Sequence, residues 1–184
     1  MRVITGTAKG RRLITVSGNE IVRPTSEKVK EAIFSAIQFD LPDRRILDLF
    51  AGCGQLGIEA LSRGAKNAVF IDSSPVSVET VKKNLISTGL DGQARVLRSD
   101  YKAFLKTCRD TFDIAFLDPP YHIGVLSDAL SLTAEVMSDY GIIVCEHPPE
   151  VELPQEIGIF NINRTYKYGK ISLTVYRKGG SADE

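Results

Sequence analysis

From Arg45 onward, short apolar runs alternate with stretches in which apolar residues recur at helical spacing. Residues 45–50 (RILDLF) form the first run, ended by Ala51-Gly52; residues 56–62 then place Leu56, Ile58, Ala60 and Leu61 on a helix that stops at Gly64. The cycle repeats with runs at 68–71, 94–97, 112–117 and 141–145 and helical stretches at 76–87, 101–108 and 125–137. Short buried runs between helices of this length predict βαβ units, right-handed crossovers and a doubly wound, Rossmann-like α/β fold. Residues 160–168 and 172–177 instead alternate apolar with polar around Gly169-Lys170, which predicts an antiparallel C-terminal hairpin at a sheet edge. Counting the runs gives a mostly parallel, seven-stranded sheet. At the front, residues 3–16 read as two short strands around Ala8-Lys9-Gly10, and residues 25–38 as a helix capped by Thr25 or Ser26. The expected organisation is an extension over 1–44, one domain over 45–178 and a small polar tail over 179–184 that frays.

The sequence has 184 residues, 43% hydrophobic and 25% charged, which excludes disordered, collagenous and disulfide-rich classes. Its apolar runs fall far below the ~20 residues a bilayer requires, and Met1-Arg2-Val3-Ile4-Thr5-Gly6 lacks a signal-peptide apolar stretch, so a cytoplasmic location is expected. Cys53, Cys108 and Cys145 include no C-x-x-C pair, and His122 and His147 have no ligand spacing with them; neither a disulfide framework nor a metal is expected. The net charge of zero is unevenly spread. Residues 1–30 carry Arg2, Lys9, Arg11, Arg12, Arg23, Lys28 and Lys30 against Glu20 and Glu27, a net of +5, which leaves −5 for the rest. Such an arm attracts phosphate backbones, though charge alone fits a bare solvated terminus equally well.

Three motifs carry chemistry, each at the C-terminal end of a predicted strand. Asp48-Leu49-Phe50-Ala51-Gly52-Cys53-Gly54-Gln55-Leu56-Gly57 holds G-x-G-x-x-G between strand and helix, where glycines let backbone donors approach a ligand. Asp72 ends the next strand, 20 residues after Gly52, and can accept hydrogen bonds from two ribose hydroxyls. Together these two motifs indicate a nucleoside cofactor and leave NAD and S-adenosylmethionine both open. Asp118-Pro119-Pro120-Tyr121 closes the fourth strand and decides between them. The exocyclic amine of a base delocalises its lone pair into the ring and is a poor nucleophile. A carboxylate and a proline carbonyl can accept its two N–H bonds and draw the nitrogen toward tetrahedral geometry. Tyr121 supplies a face for stacking the base.

The pattern D-x-F-A-G-x-G-x-L-G, an acidic strand end and D-P-P-Y resembles the class I S-adenosylmethionine-dependent amino-methyltransferases. Arg2-Val3-Ile4-x-Gly6-x-Ala8-Lys9-Gly10-Arg11, Arg23-Pro24-Thr25 and Lys28-x-x-x-Ala32-Ile33-Phe34 narrow this, being similar to the RsmD family, which methylates the N2 amine of one guanine in 16S ribosomal RNA. The resemblance runs from Arg2 to about Arg177, with Cys53-Gly54-Gln55 standing where the family usually carries Ser-Gly-Ala. It implies that Asp48 and the backbone of Phe50, Ala51, Gly52, Cys53 and Gly54 take the methionine end. It assigns Asp72, with Ser73, to the ribose, Asp100 and Tyr101 to the adenine edge and face, and Asp118, Pro119, Pro120 and Tyr121 to the target amine. Arg23-Pro24-Thr25 would lie over the mouth of the site, and Arg2, Lys9, Arg11, Arg12, Arg23, Thr25 and Lys28 would face RNA. The implied partner is 16S rRNA, within a partly assembled small subunit, met by a monomer.

Other readings share parts of this pattern. A DNA adenine methyltransferase has the same loop and tetrapeptide but needs a region to read base edges, and only about 45 residues precede the core. A protein glutamine methyltransferase has Asn where Asp118 stands, and a non-catalytic nucleotide-binding module has no use for residues 118–121.

Overall fold

The computed structural model describes residues 1–16, 26–120 and 124–179; Arg23, Pro24, Thr25, Tyr121, His122 and the tail from residue 180 lie outside the described residues. Eight strands, β1 (Arg45–Asp48), β2 (Asn67–Asp72), β3 (Ala94–Arg98), β4 (Phe112–Leu117), β5 (Met137–His147), β6 (Glu156–Ile157), β7 (Phe160–Tyr168) and β8 (Ile171–Lys178), form one sheet in the order β3-β2-β1-β4-β5-β8-β7-β6. β1 to β5 pair in parallel and β8 runs antiparallel to both β5 and β7. The helices are α1 (Glu27–Ile37), α2 (Gln55–Ser62), α3 (Pro75–Thr88), α4 (Tyr101–Thr107) and α5 (Val125–Ala134).

The period of two along each strand sorts the core into two layers. Ile46, Phe70, Ile114, Phe116, Ile142 and Val144 face one side, where they pack with Val29 and Ile33 of α1, Ile58 of α2 and Val81 and Leu85 of α3. Leu47, Ile71, Ala115, Leu117 and Ile143 face the other and meet Phe104 of α4 and Leu126 and Leu130 of α5. Because β1 pairs with both β2 and β4, chain order reverses at β1, and the C-terminal ends of these strands are where a doubly wound sheet forms its binding crevice.

The doubly wound α/β fold is as the pattern predicts, with local differences. The C-terminal hairpin does not hang on an edge: β8 is inserted between β5 and β7, and the edge is β6, whose two residues are too few for a periodic signal. The helix expected over 125–137 stops at Ala134, because Val136 N–H turns back to the Thr133 carbonyl (3.0 Å) and the Val136 carbonyl accepts from Phe112 N–H (2.9 Å), drawing Met137 into β5. The two strands expected over 3–16 reduce to one antiparallel bridge, Arg2 to Arg12. Of the two candidate caps, Ser26 is the N-cap of α1, its hydroxyl accepting from Val29 N–H.

This front segment is a strap laid on the domain. Val3, Ala8 and Leu13 are buried in the same layer as α1, α2 and α3. Ile4 and Thr5 donate their N–H groups to the Glu59 carboxylate (2.8 and 3.0 Å), and Ala8 N–H donates to Ser62 Oγ (2.9 Å). Gly6, at φ +91°, lies so close to α2 that a Cβ would sit 1.7 Å from the Ser62 carbonyl oxygen.

Candidate functional site

The glycine loop leaves β1 while still sharing the sheet's hydrogen bonds: Leu49 N–H donates to the Phe116 carbonyl (3.1 Å) and Ala51 N–H to that of Ile71 (3.0 Å). Gly52 and Gly54 then adopt left-handed φ of +56° and +79°, turning the chain into α2 with Gly54 as a cap that has no side chain. A helix start whose cap residue has no side chain favours a negatively charged group nearby. Gly57 is required for packing, since a Cβ there would lie 2.3 Å from the Phe70 ring.

Two carboxylates brace the loop. Asp72 Oδ2 accepts from Gly52 N–H (2.8 Å) and its Oδ1 from Ser74 N–H (2.9 Å), so the side chain reaches from the end of β2 to the loop. Asp48 is buried and accepts from Gly57 N–H (2.9 Å). Burial pushes its carboxyl up to about 7, with the Asp72 charge adding to that and the Gly57 hydrogen bond opposing it. A buried carboxyl poised near neutrality suits a cationic amine that enters with a ligand. Cys53 is also buried, which raises its thiol, and its carbonyl accepts from Asn84 Nδ2 (2.9 Å).

The remaining predicted residues surround the same crevice. Ser73 is exposed beyond Asp72. Asp100 caps α4, its Oδ1 accepting from Lys102 and Ala103 N–H. The Tyr101 ring lies 5.4 Å from that of Phe50, and its hydroxyl donates to Asp128 Oδ2 on α5 (2.8 Å), which also receives Lys102 Nζ (3.1 Å). Asp118 is half-buried, Pro119 buried and Pro120 exposed. The register pairs Asp48 with Phe70 on one side and Phe116 on the other. Asp72 and Asp118, each two residues further on, therefore stand level with Phe50 on opposite flanks of β1, about 10 Å apart by strand spacing. The two strand-end acids thus flank one strand.

Of the basic residues, Arg2, Lys9, Arg11, Arg12 and Lys28 are exposed, and Arg2 stands 3.5 Å from Glu27. Lys30, counted in the basic front, is instead wholly buried. Its Nζ lies 3.4 Å from Glu59 Oε2 and donates to the Arg2 carbonyl (2.6 Å). Burial lowers its ammonium pKa and the Glu59 charge opposes that. Sequence reasoning passed over Glu59, Ser62, Asn84 and Asp128. The available signal was polar residues on buried helix faces: Asn84 falls between Val81 and Leu85, and Glu59 between Ile58 and Ala60, all of them buried. Among the described residues no cluster of His, Cys, Asp and Glu could hold a metal ion.

The model of a protein family described as conserved hypothetical protein 95 matches residues 1–177. The Bacillus subtilis protein YlbH, which carries an rRNA methyltransferase name, is 44% identical over 98% of this chain and 100% of its own length. Ribosomal RNA small subunit methyltransferase D of Escherichia coli is 32% identical over 97% of this chain and 90% of its own. A solved structure of the T. thermophilus 16S rRNA N2 G1207 methyltransferase, in complex with AdoMet and guanosine, superposes with a TM-score of 0.71 at 26% identity, covering 86% of this chain and 44% of that one. A family match over residues 1–177, with relatives 32% and 44% identical over nearly the whole chain, makes this protein a member of the conserved hypothetical protein 95 family, the RsmD family of methyltransferases.

Proposed function

We propose that this protein transfers a methyl group from S-adenosylmethionine to the exocyclic N2 amine of a guanine in 16S rRNA. The observation that carries the proposal is the placement of Asp72 and Asp118 on opposite flanks of β1 at the same level, joining a nucleoside cradle to an amine-holding tetrapeptide. The residues fit the cofactor. The start of α2, whose cap Gly54 has no side chain, favours its carboxylate, and buried Asp48 answers its ammonium. Asp72, already oriented by Gly52 and Ser74, has the valence to receive ribose hydroxyls, and Phe50 with Tyr101 offers aromatic surface for adenine. When bound, the cofactor supplies an electrophilic methyl on a sulfonium.

The target-side residues orient the nucleophile. Asp118 and the proline carbonyl beside it accept the two N–H bonds of the amine, which directs its lone pair at the methyl and stabilises the positive charge that develops on nitrogen. With the cofactor bound, its methyl would be the electrophile, and Asp118 or water would take the proton that the methylated nitrogen gives up. Proline at 119 and 120 fixes φ and adds no N–H that would compete for the acceptors. Tyr121 stacks on the base, and the exposed Arg2, Lys9, Arg11, Arg12 and Lys28, with Arg23 and Thr25, grip the RNA backbone. In this reading residues 1–44 form the RNA-facing extension of the methyltransferase domain at 45–178, a cytoplasmic monomer acting on a partly assembled small subunit. Support comes from the names of its relatives and from the guanosine and AdoMet in the T. thermophilus neighbour.

Parallel transfer of labelled methyl to 16S rRNA, plasmid DNA and a protein extract tests the reading, with label expected in the rRNA alone. Label in DNA or protein would replace it with one of the readings that share the loop.

A further inference from the structure

Asn84 has a task that neither the cofactor cradle nor the target loop explains. It lies on α3, with no exposed surface. Its Oδ1 accepts from Ile14 N–H (2.8 Å), while Nδ2 donates to the Ile14 carbonyl (2.9 Å) and to the Cys53 carbonyl (2.9 Å). One carboxamide therefore engages both backbone groups of a strap residue, as a neighbouring strand would. Its second N–H holds the glycine loop at the residue between Gly52 and Gly54. Only a carboxamide offers this set of donors and acceptor on so short a stem. An apolar replacement would strand three backbone groups, and a carboxylate would face two carbonyls.

The position of this clamp is informative. On its loop side, Gly52 is bonded to Asp72, so the loop is held between the ribose acid on one flank and Asn84 on the other. On its strap side, Ile14 belongs to a segment also anchored at Glu59 and Ser62 of α2 and at Lys30 of α1. Asn84 is thus the described side chain that hydrogen-bonds both the strap and the glycine loop.

We propose that Asn84 is a positioning residue that couples the N-terminal strap to the cofactor loop, so that filling the cofactor site orders the strap for RNA and RNA on the strap tightens the cofactor site. The second half rests on the RNA-facing reading of the strap; the first does not. Linkage makes the coupling reciprocal.

Backbone hydrogen exchange of the strap, residues 2–16, with and without S-adenosylhomocysteine, tests the coupling in the absence of RNA. In the wild-type protein the product should slow exchange at Ile14 and Leu13 at least about 5-fold, the lower end of ordinary couplings. In Asn84→Asp that change should vanish. Ile14→Pro, at an exposed position, removes one of the two strap bonds to Asn84 and leaves the Asn84–Cys53 bond intact; product should bind it while its effect on Leu13 exchange is diminished. A wild-type strap indifferent to the product, or a product effect of wild-type size in either variant, would overturn the coupling. Rank-order RNA affinities with and without product then address the second half. If strap exchange responds to product but Arg11→Ala/Arg12→Ala leaves RNA affinity unchanged, the RNA-facing reading has failed while the clamp stands.

Discussion

The crevice at the ends of β1, β2 and β4 and the strap on α2 are both held by carboxylates that accept from backbone N–H groups, yet they use them differently. In the crevice, Asp72 and Asp48 accept from backbone N–H groups of the glycine loop and keep capacity for a ligand. Beneath the strap, Glu59 is saturated: it receives Ile4 and Thr5 N–H, Arg63 Nε (2.8 Å) and Lys30 Nζ. The first arrangement is poised for a partner that arrives, and the second is closed around one already present. A carboxylate's partners, more than its burial, separate a binding group from a structural one.

The largest expected effect follows from that saturation. Glu59→Ala leaves Lys30 buried without its charge partner and two strap N–H groups unpaired, and should cost about 3–5 kcal/mol of stability, read by urea unfolding. A loss below about 1 kcal/mol would place the strap's anchorage elsewhere. Asp118→Ala should act on the reaction instead, lowering turnover by about 10² or more while cofactor affinity stays near wild type, because it holds the target amine and not the cofactor. Full turnover with weakened cofactor binding would assign Asp118 to the wrong half of the site.

A pH series sharpens the contrast within the crevice. The Asp48 carboxyl sits at about 7, above its unfolded value, so the folded state holds an extra proton between roughly pH 4 and 7. Its contribution to stability is present in full at low pH and falls as pH rises toward 7. Cofactor binding runs the other way, since an ammonium favours the ionised acid. Affinity for S-adenosylhomocysteine should fall up to about tenfold per pH unit below 7, and Asp48→Asn should flatten that dependence in calorimetry. A wild-type affinity level from pH 5.5 to 8 would detach Asp48 from the amine. The smallest effect concerns the strap's outer face. RNA affinity should fall with salt at a log–log slope of roughly −0.7 per contact, and removing Arg11 and Arg12 together should flatten it by about 1.4. An unmoved slope would leave those charges merely solvated.

The two regions also differ in how far they can be read from residues alone. The crevice is legible because its chemistry is local: Gly52, Gly54 and Gly57 are needed where the backbone turns or approaches a ring, and Asp72 and Asp118 end strands whose apolar runs mark them. The strap is legible only as charge. Three of its fixings, Glu59, Ser62 and Asn84, stand more than 50 residues from the backbone they hold and look like ordinary helix residues. The same non-locality hid the placement of β8, since a hairpin's own alternation does not say which strand accepts it. Lys30 entered the charge count as surface, although its helical spacing to Ile33, Phe34 and Ile37 puts it on the apolar face of α1, a face Lys28 does not share.

The central claim is that the crevice methylates a guanine amine of 16S rRNA, and the identity of the methylated nucleoside tests it most directly. Small subunits from a strain deleted for this protein would be incubated with the purified enzyme and S-adenosylmethionine, and their 16S rRNA digested to nucleosides and resolved by mass spectrometry. The account predicts one equivalent of N2-methylguanosine, absent when Asp118→Ala replaces the enzyme. Methyl on a ring nitrogen, on adenine, or on ribosomal protein with the rRNA unmodified would contradict it.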